Sequence, residues 1–117
     1  MQVPHTGNHI RRHRKKSGLS QQELGLILGY AHEGAVSRHE QSVTIPPLLT
    51  AIAYEAVFHV PIAKLFPGLQ MAVDQAVDRR LGELEAELQN KLKKSRRTRL
   101  VAQKLAWLDE RRSLLES

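Results

Sequence analysis

Five cations near the start of this 117-residue chain stand close together, with no acid among the first twenty residues. Cationic side chains at this density favour a polyanion, because each one can neutralise a phosphate and release its counterion. A solvated basic face is the alternative, and charge by itself does not decide between the two. If a nucleic acid binds, the residues predicted to contact its phosphates here are Arg11, Lys15 and Lys16, with Arg12 and Arg14 beside them.

A second basic run, "KLKKSRRTR" at 91–99, holds six cations, whereas residues 21–68 and 69–90 each carry more acids than cations. Three roles suit this run: a solvated connection between helices, an extra phosphate-binding patch, or a contact for an acidic partner. We interpret it as a connection that also touches nucleic acid. Such contacts steepen the salt dependence of binding and leave the sequence preference unchanged.

Four residues between positions 33 and 38 are of types suited to reading base edges. A short helix over about Gly34 to Glu40 would turn Val36 and His39 to one side and leave its other side outward. Small residues on the outward side let the backbone approach a groove, and Arg38 can pair with a guanine edge. The same pattern also fits an exposed helix without function. The residues predicted to read bases are Glu33, Gly34, Ser37 and Arg38.

The stretch "SQQEL" predicts the start of the preceding helix through a capping box. Ser20 would accept a hydrogen bond from the amide of Glu23, and the carboxylate of Glu23 would return one to Ser20. Gly25 then allows another helix to cross closely, as a helix-turn-helix requires. At the start of such a helix, free amides and the positive end of the dipole favour a phosphate. The residues predicted to hold a phosphate there are Gln21 and Gln22.

Three further helices complete the N-terminal part. The first covers "HIRRHRKK", with Asn8 as its cap and Gly18 as its stop. A fourth begins at Pro47 and a fifth at Pro61, since proline suits a first helical turn. We expect Pro67-Gly68 to close the unit. The inner face predicted for the fourth helix consists of Leu49, Ile52, Ala53 and Ala56.

Residues 69–117 carry two apolar stripes at helical spacing, separated by "KKSRR". These helices have too much apolar surface to stay exposed, so they either fold back on the N-terminal part or pair with a second copy. Of these two arrangements we favour pairing with a second copy. The first stripe is Val73, Val77, Leu81, Leu84, Leu88 and Leu92; the second is Val101, Leu105, Leu108 and Leu115, joined by Leu100, Trp107 and Leu114.

Several motifs follow one another over about residues 8–68: "GLSQQEL", Gly29, "VSRHE", the proline of the fourth helix, and "VPIAKLF". In this order the chain resembles the helix-turn-helix domain of the lambda-repressor-like, Xre/Cro-type transcription regulators. The helix signals predict an all-α fold, with a five-helix domain at 1–68 and a helical extension of one or two long helices at 69–117. The resemblance covers only the first of these and implies that 1–68 binds DNA. It also implies that the third helix enters the major groove of double-stranded DNA while the second braces across the backbone.

Particular residues carry the resemblance further. Gln21 resembles the family's phosphate-contacting glutamine, and Glu33, Gly34 and Arg38 fall where the family places base-contacting side chains. The resemblance also implies that Arg14 and Glu40 tie the first helix to the end of the third.

The chain departs from the family pattern at three points. Gly25 stands where alanine is usual, and His39 replaces an apolar or aromatic residue. The distance from Gly29 to Glu40 is one residue longer than the commonest spacing.

Residues and resemblance together predict a sequence-specific double-stranded DNA-binding transcription regulator, a repressor that acts as a homodimer. One alternative is the antitoxin of a toxin–antitoxin pair, or another interaction module, that holds a protein partner through residues 69–117. A second alternative is an RNA-binding adaptor. Aromatic residues make up only 4% of the chain, which leaves few to stack on unpaired bases.

Other classes of protein find little support. The chain has no cysteine, which excludes disulfides and thiolate metal sites. His5, His9 and His13 are spaced by four, but no carboxylate nearby completes a metal site. Because no catalytic motif occurs either, we expect no enzyme, no metal and no cofactor. No apolar run reaches the roughly 20 residues of a membrane helix, and the N-terminus lacks the core of a secretory signal, so a cytoplasmic protein is expected.

Overall fold

The structure is a computed structural model that describes residues 7–94 and 98–116. Every regular element within those ranges is an α-helix, which confirms the predicted all-α class. His5 and residues 95–97 of the second basic run lie outside the described ranges. The helices are α1 (Ile10–Ser17), α2 (Gln21–Ile27), α3 (Gly34–Glu40), α4 (Leu48–Phe58), α5 (Ile62–Leu65), α6 (Pro67–Lys93) and α7 (Thr98–Glu116). The chain divides into two compact units, Met1–Val73 and Asp74–Ser117.

Helix α1 begins one residue later than predicted. His9 is its N-cap residue and makes no side-chain capping bond. Asn8 instead accepts the amide of Ile10 on its Oδ1 at 3.0 Å, so it still satisfies one of the first helical donors. At the other end Gly18 adopts φ +81°, a left-handed conformation that glycine reaches without strain, and this confirms the predicted stop.

One apolar core holds the N-terminal unit together. Each of the first five helices contributes a side chain to it, and Phe66 joins them directly after α5. Since these helices are short, burial against one another, rather than helix propensity, stabilises them. The buried residues of this core are Ile10, Leu24, Val36, Tyr54, Leu65 and Phe66.

Helix α4 turns a different face inward from the one predicted. Its fully buried residue is Tyr54, whereas Leu49 is 81% exposed and Ile52 is 45% exposed. Tyr54 fills the core with its ring and places its hydroxyl on a buried partner, so a residue with a polar tip takes the inward line. The prediction of Leu49, Ile52, Ala53 and Ala56 as the inner face is therefore wrong, and of these only Ala53 is half-buried.

The prediction that Pro67-Gly68 closes the unit is also wrong. Pro67 is the first residue of α6, which continues for 27 residues to Lys93. Proline is tolerated there because the first helical turn needs no amide from it and its fixed φ is already helical. Pro67 therefore starts a helix at the point where we expected one to end.

The second unit, Asp74–Ser117, is a hairpin of the later part of α6 and α7. Arg112 forms an ion pair with Glu85, and Arg111 lies 3.7 Å from Asp78. Because only four residues separate α6 from α7, contacts this far from the connection on both helices require α7 to run back antiparallel to α6. Residues of both predicted stripes pack together in this hairpin. Its core consists of Leu88, Val101 and Leu108, with Leu81 and Leu105 against them. Over the described residues, no helix is long and apolar enough to cross a membrane.

Candidate nucleic-acid interface

The start of α2 is fixed by the capping box that the sequence predicts. Ser20 Oγ accepts the amide of Glu23 at 3.0 Å, and Glu23 Oε1 accepts the amide of Ser20 at 2.9 Å. The hydrogen bond that the Ser20 backbone amide donates to the carboxylate lowers the pKa of the Glu23 carboxyl, and the Ser20 side chain adds to this effect. The cap holds α2 at a defined angle to the chain that arrives from α1.

Helices α2 and α3 cross closely at Gly25. A Cβ at this position would lie 3.0 Å from the carbonyl oxygen of His32 and 3.8 Å from Val36. The connecting turn folds back on the same residue, since the Tyr30 amide donates to the Gly25 carbonyl at 2.8 Å. The absence of a side chain at Gly25 therefore sets the approach of α3 to α2, as the sequence predicts.

Glu40, at the end of α3, gathers side chains from both preceding helices. Arg14 donates from Nε to Glu40 Oε2 at 2.5 Å and from Nη2 to Oε1 at 3.1 Å, and Gln21 Nε2 donates to Oε1 at 3.1 Å. Arg14 also donates to the carbonyl of Leu19 at 3.0 Å. The hydrogen bonds to Glu40 raise the pKa of the Arg14 guanidinium. One carboxylate thus fixes α1, α2 and α3 together.

His39 anchors the inward side of α3. Its Nδ1 shares a hydrogen bond of 2.9 Å with the hydroxyl of Tyr54 on α4, and both side chains are buried. The Asn8 amide donates to the His39 carbonyl at 2.8 Å. Burial lowers the pKa of His39, and the neighbouring Arg38 adds to this effect. His39 therefore occupies an inward position with its Nδ1 satisfied by the hydroxyl of Tyr54.

The outward side of α3 is left free of these anchoring contacts. Arg38 is exposed, Ser37 and Gly34 are half-buried, and Glu33 is the exposed residue at the N-cap position. All four residues predicted to read bases therefore lie on one side of α3, from its N-cap to its last turn. That these four residues contact DNA bases remains a prediction.

His32 joins this surface, although it was not among the residues predicted to read bases. Its Nδ1 accepts the amide of Gly34 at 3.2 Å, which leaves Nε2 as the protonated nitrogen of the neutral ring. A Cβ on Gly34 would lie 3.1 Å from the His32 ring and 3.3 Å from Arg38 Nη1. Gly34 therefore lets the imidazole and the guanidinium lie over the start of α3, a proximity that only the turn conformation reveals.

The cations predicted to contact phosphates are exposed on α1. Arg11, Lys15 and Lys16 point away from the core, and the last turn of α1 that carries the two lysines leads directly into the start of α2. Gln22 is exposed at that start, whereas the side-chain amide of Gln21 is held by Glu40. The three cations and Gln22 are therefore exposed to solvent, whereas the side chain of Gln21 donates a hydrogen bond within the domain, to Glu40.

The comparisons with known proteins identify this arrangement. A family model described as helix-turn-helix matches residues 10–65, from the first residue of α1 to the last of α5. Residues 10–65 belong to the lambda-repressor-like helix-turn-helix family. The resemblance read from the motifs is confirmed, and the domain is that of a DNA-binding regulator. Neither the curated proteins nor the solved structures gave a match.

Proposed function

We propose that the chain is a sequence-specific regulator that binds double-stranded DNA as a dimer and represses transcription. The observation that supports this most directly is the asymmetry of α3. Its inner side is fixed by Glu40 and His39, while its outer side presents Arg38 and Glu33. A helix that is rigidly held from behind and polar in front suits insertion into a major groove.

Two sets of residues have different roles in this proposal. Arg38 pairs with guanine, Glu33 accepts from cytosine, and Ser37 and Gly34 allow close approach, so this set determines sequence preference. Arg11, Lys15 and Lys16 neutralise phosphates beside the start of α2, and Gln22 adds a polar contact, so this set determines affinity for any duplex. Gln21 acts on DNA indirectly, since it holds Glu40 and thereby α3.

Repression follows from occupancy. A small helix-turn-helix protein that covers an operator excludes other proteins from it and needs no further part to do so. Dimerisation through residues 69–117 would double the phosphate contacts and match two half-sites about 34–36 Å apart, or a multiple of that distance.

Selection of bound duplexes from a random DNA pool tests the proposal. We expect the wild-type chain to recover an inverted repeat. Arg38→Ala should blur the preference at one base pair of each half-site, with a cost of about 1–3 kcal/mol on the preferred sequence. Lys64→Ala is the matched control, because Lys64 is an exposed cation on α5 that belongs to neither set.

Each outcome has a distinct meaning. A single half-site would support base reading and contradict the dimer. Equal losses on selected and random DNA for Arg38→Ala would contradict its role in base reading. No enrichment at all would contradict the proposed function and favour an antitoxin or another protein-interaction module.

A further inference from the structure

The C-terminal hairpin has more apolar surface than its own core uses. Leu100 is 57% exposed, Trp107 52% and Leu114 70%, although all three are large apolar residues on α7. They recur every seven residues, which is two helical turns, so they form one line along the helix. The hairpin core is already filled by Leu88, Val101 and Leu108, so this line lies outside it.

Leu84 of α6 adds to the same side of the hairpin. Leu100 and Trp107 each directly precede a core residue of α7, and Leu84 directly precedes Glu85, which pairs with Arg112 across the hairpin. In two antiparallel right-handed helices, residues that precede the inward-facing ones lie on the same side of the pair. Leu84, which is 39% exposed, therefore widens the apolar line of α7 into a face. We call Leu84, Leu100, Trp107 and Leu114 the hairpin face.

The charges of the hairpin are separated along its length. Residues 91–94 and 98–104, at the end of the hairpin where the two helices connect, contain five cations and no acid, whereas 74–87 and 105–116, towards the open end, together contain eight acids and four cations. Two copies that meet in the same direction would bring their cationic ends together. Two copies that meet head to tail would place each cationic end beside an acidic open end, where opposite charges attract within the screening length of about 10 Å.

We propose that a second copy of this chain docks on the hairpin face in antiparallel orientation, with the two-fold axis at Trp107. The even spacing then places Leu100 against Leu114 of the second copy and Trp107 against its own equivalent. This inference rests on the dimer in the proposed function and specifies its surface. A face about 21 Å long and two helices, or about 20 Å, wide is on the order of 400 Å² in projection, which is small for a dimer interface, so we expect association in the micromolar range.

Trp107 is the only tryptophan of the chain, so its fluorescence reports on the face directly. On raising the concentration from about 0.5 to 100 μM, we expect the emission to shift to shorter wavelength while the mass from sedimentation equilibrium doubles. Leu100→Glu should remain monomeric at 100 μM with unchanged helicity. Ala102→Glu, on the opposite side of α7, introduces the same charge and should dimerise like the wild type. A monomeric wild type, or dimerisation of Leu100→Glu, would overturn the proposal.

Cysteine cross-linking tests the orientation, because the chain has no cysteine of its own. In the antiparallel dimer the two copies of residue 100 lie about 21 Å apart, while residue 100 lies beside residue 114 of the other copy. A disulfide needs Cα atoms within about 7 Å. Under mild oxidation, Leu100→Cys mixed with Leu114→Cys should therefore cross-link, and Leu100→Cys alone should not. Cross-linking of Leu100→Cys to itself would contradict the antiparallel arrangement.

These results are separable from the proposed DNA function. If the wild type selects a half-site but stays monomeric, the result supports sequence-specific DNA binding and contradicts dimerisation through the hairpin face. If it dimerises through this face but selects no DNA, the result supports the proposed interface and contradicts the proposed function as a DNA-binding regulator.

Discussion

Arg14 on α1 holds Glu40 at the end of α3 with two hydrogen bonds, and the side chains are only 11% and 3% exposed. The two residues are 26 positions apart in sequence, so the pair joins α1 to the end of α3. Such a contact is worth little as a surface ion pair, but a buried carboxylate without its cation is costly. Arg14 is therefore a cation that serves the fold, although it lies within a cluster whose other members face outward.

Replacement of Arg14 tests this distinction. Arg14→Leu leaves the Glu40 carboxylate buried with only Gln21 to donate to it, so we expect a loss of about 3 kcal/mol in the free energy of unfolding. Denaturant unfolding measures this loss. Arg11→Leu removes an exposed cation from the same helix and should change stability by less than about 0.5 kcal/mol.

The double variant Arg14→Leu/Glu40→Leu should recover part of the stability, because it removes both members of the pair. If Arg14→Leu and Arg11→Leu lose equal stability, the pair does not hold the helices together.

Much of the helix-turn-helix could be predicted from local signals. The capping box of Ser20 and Glu23, the stop at Gly18 and the close crossing at Gly25 each depend on residues a few positions apart, or on the absence of a side chain. Such signals act within one turn of the chain, so the sequence displays them directly. The outward side of α3 followed from the inward spacing of Val36 and His39.

The failures have a shared physical cause. On α4, hydrophobicity favoured Leu49 and Ile52 for the core, yet Tyr54 occupies it because His39, on another helix, offers its hydroxyl a partner. Pro67 is compatible with either the end or the start of a helix, and in the structure it starts α6, whose Leu69 packs against the core. Tertiary partners distant in sequence cannot be read from a local pattern.

The buried histidine makes the N-terminal unit sensitive to pH. Burial, with Arg38 nearby, lowers the pKa of His39 in the folded chain, and burial with Arg12, Lys16 and His9 does the same for His13. The unfolded chain therefore binds protons first, near the ordinary histidine pKa of about 6.5. This stability is fully present well above pH 6.5 and is lost as the pH falls from there through the lower pKa of the folded chain, by at most about 1.4 kcal/mol per pH unit for the buried His39.

His39→Gln keeps a polar atom near Tyr54 but cannot be protonated. Its free energy of unfolding, measured between pH 7.5 and 5.5, should fall less steeply than that of the wild type. An unchanged slope would assign the proton uptake to His13 or another group, and His13→Gln identifies which.

The exposed lysines of α1 should affect all duplexes alike. Each phosphate contact contributes about 0.9 to the slope of log affinity against log salt concentration. Lys15→Ala/Lys16→Ala should therefore flatten this slope by about two and weaken selected and random DNA by the same factor, as fluorescence anisotropy would show. A change in the ratio between the two DNAs would contradict a role confined to phosphates, and Lys64→Ala should alter neither quantity.

A methyl group on Gly34 should change DNA preference more than stability. Its Cβ would meet only the ends of His32 and Arg38, which are flexible and can move aside. We expect Gly34→Ala to unfold within about 0.5 kcal/mol of the wild type while its selected sequence changes beside the base pair assigned to Arg38. A stable variant with the wild-type preference would show that the placement of these two side chains over α3 does not matter for reading.

Gly25 should respond in the opposite way, because its neighbour is backbone. A side chain there meets the carbonyl of His32, which cannot move without displacing the turn before α3. Gly25→Val should therefore lower the free energy of unfolding by about 1–3 kcal/mol. Gly82→Ala is the control, since a Cβ on this exposed residue of α6 meets nothing and should stabilise the helix by about 0.5–1 kcal/mol. If Gly25→Val were as stable as the wild type, the turn could yield, and the angle between α2 and α3 would depend on Glu40 and its partners instead.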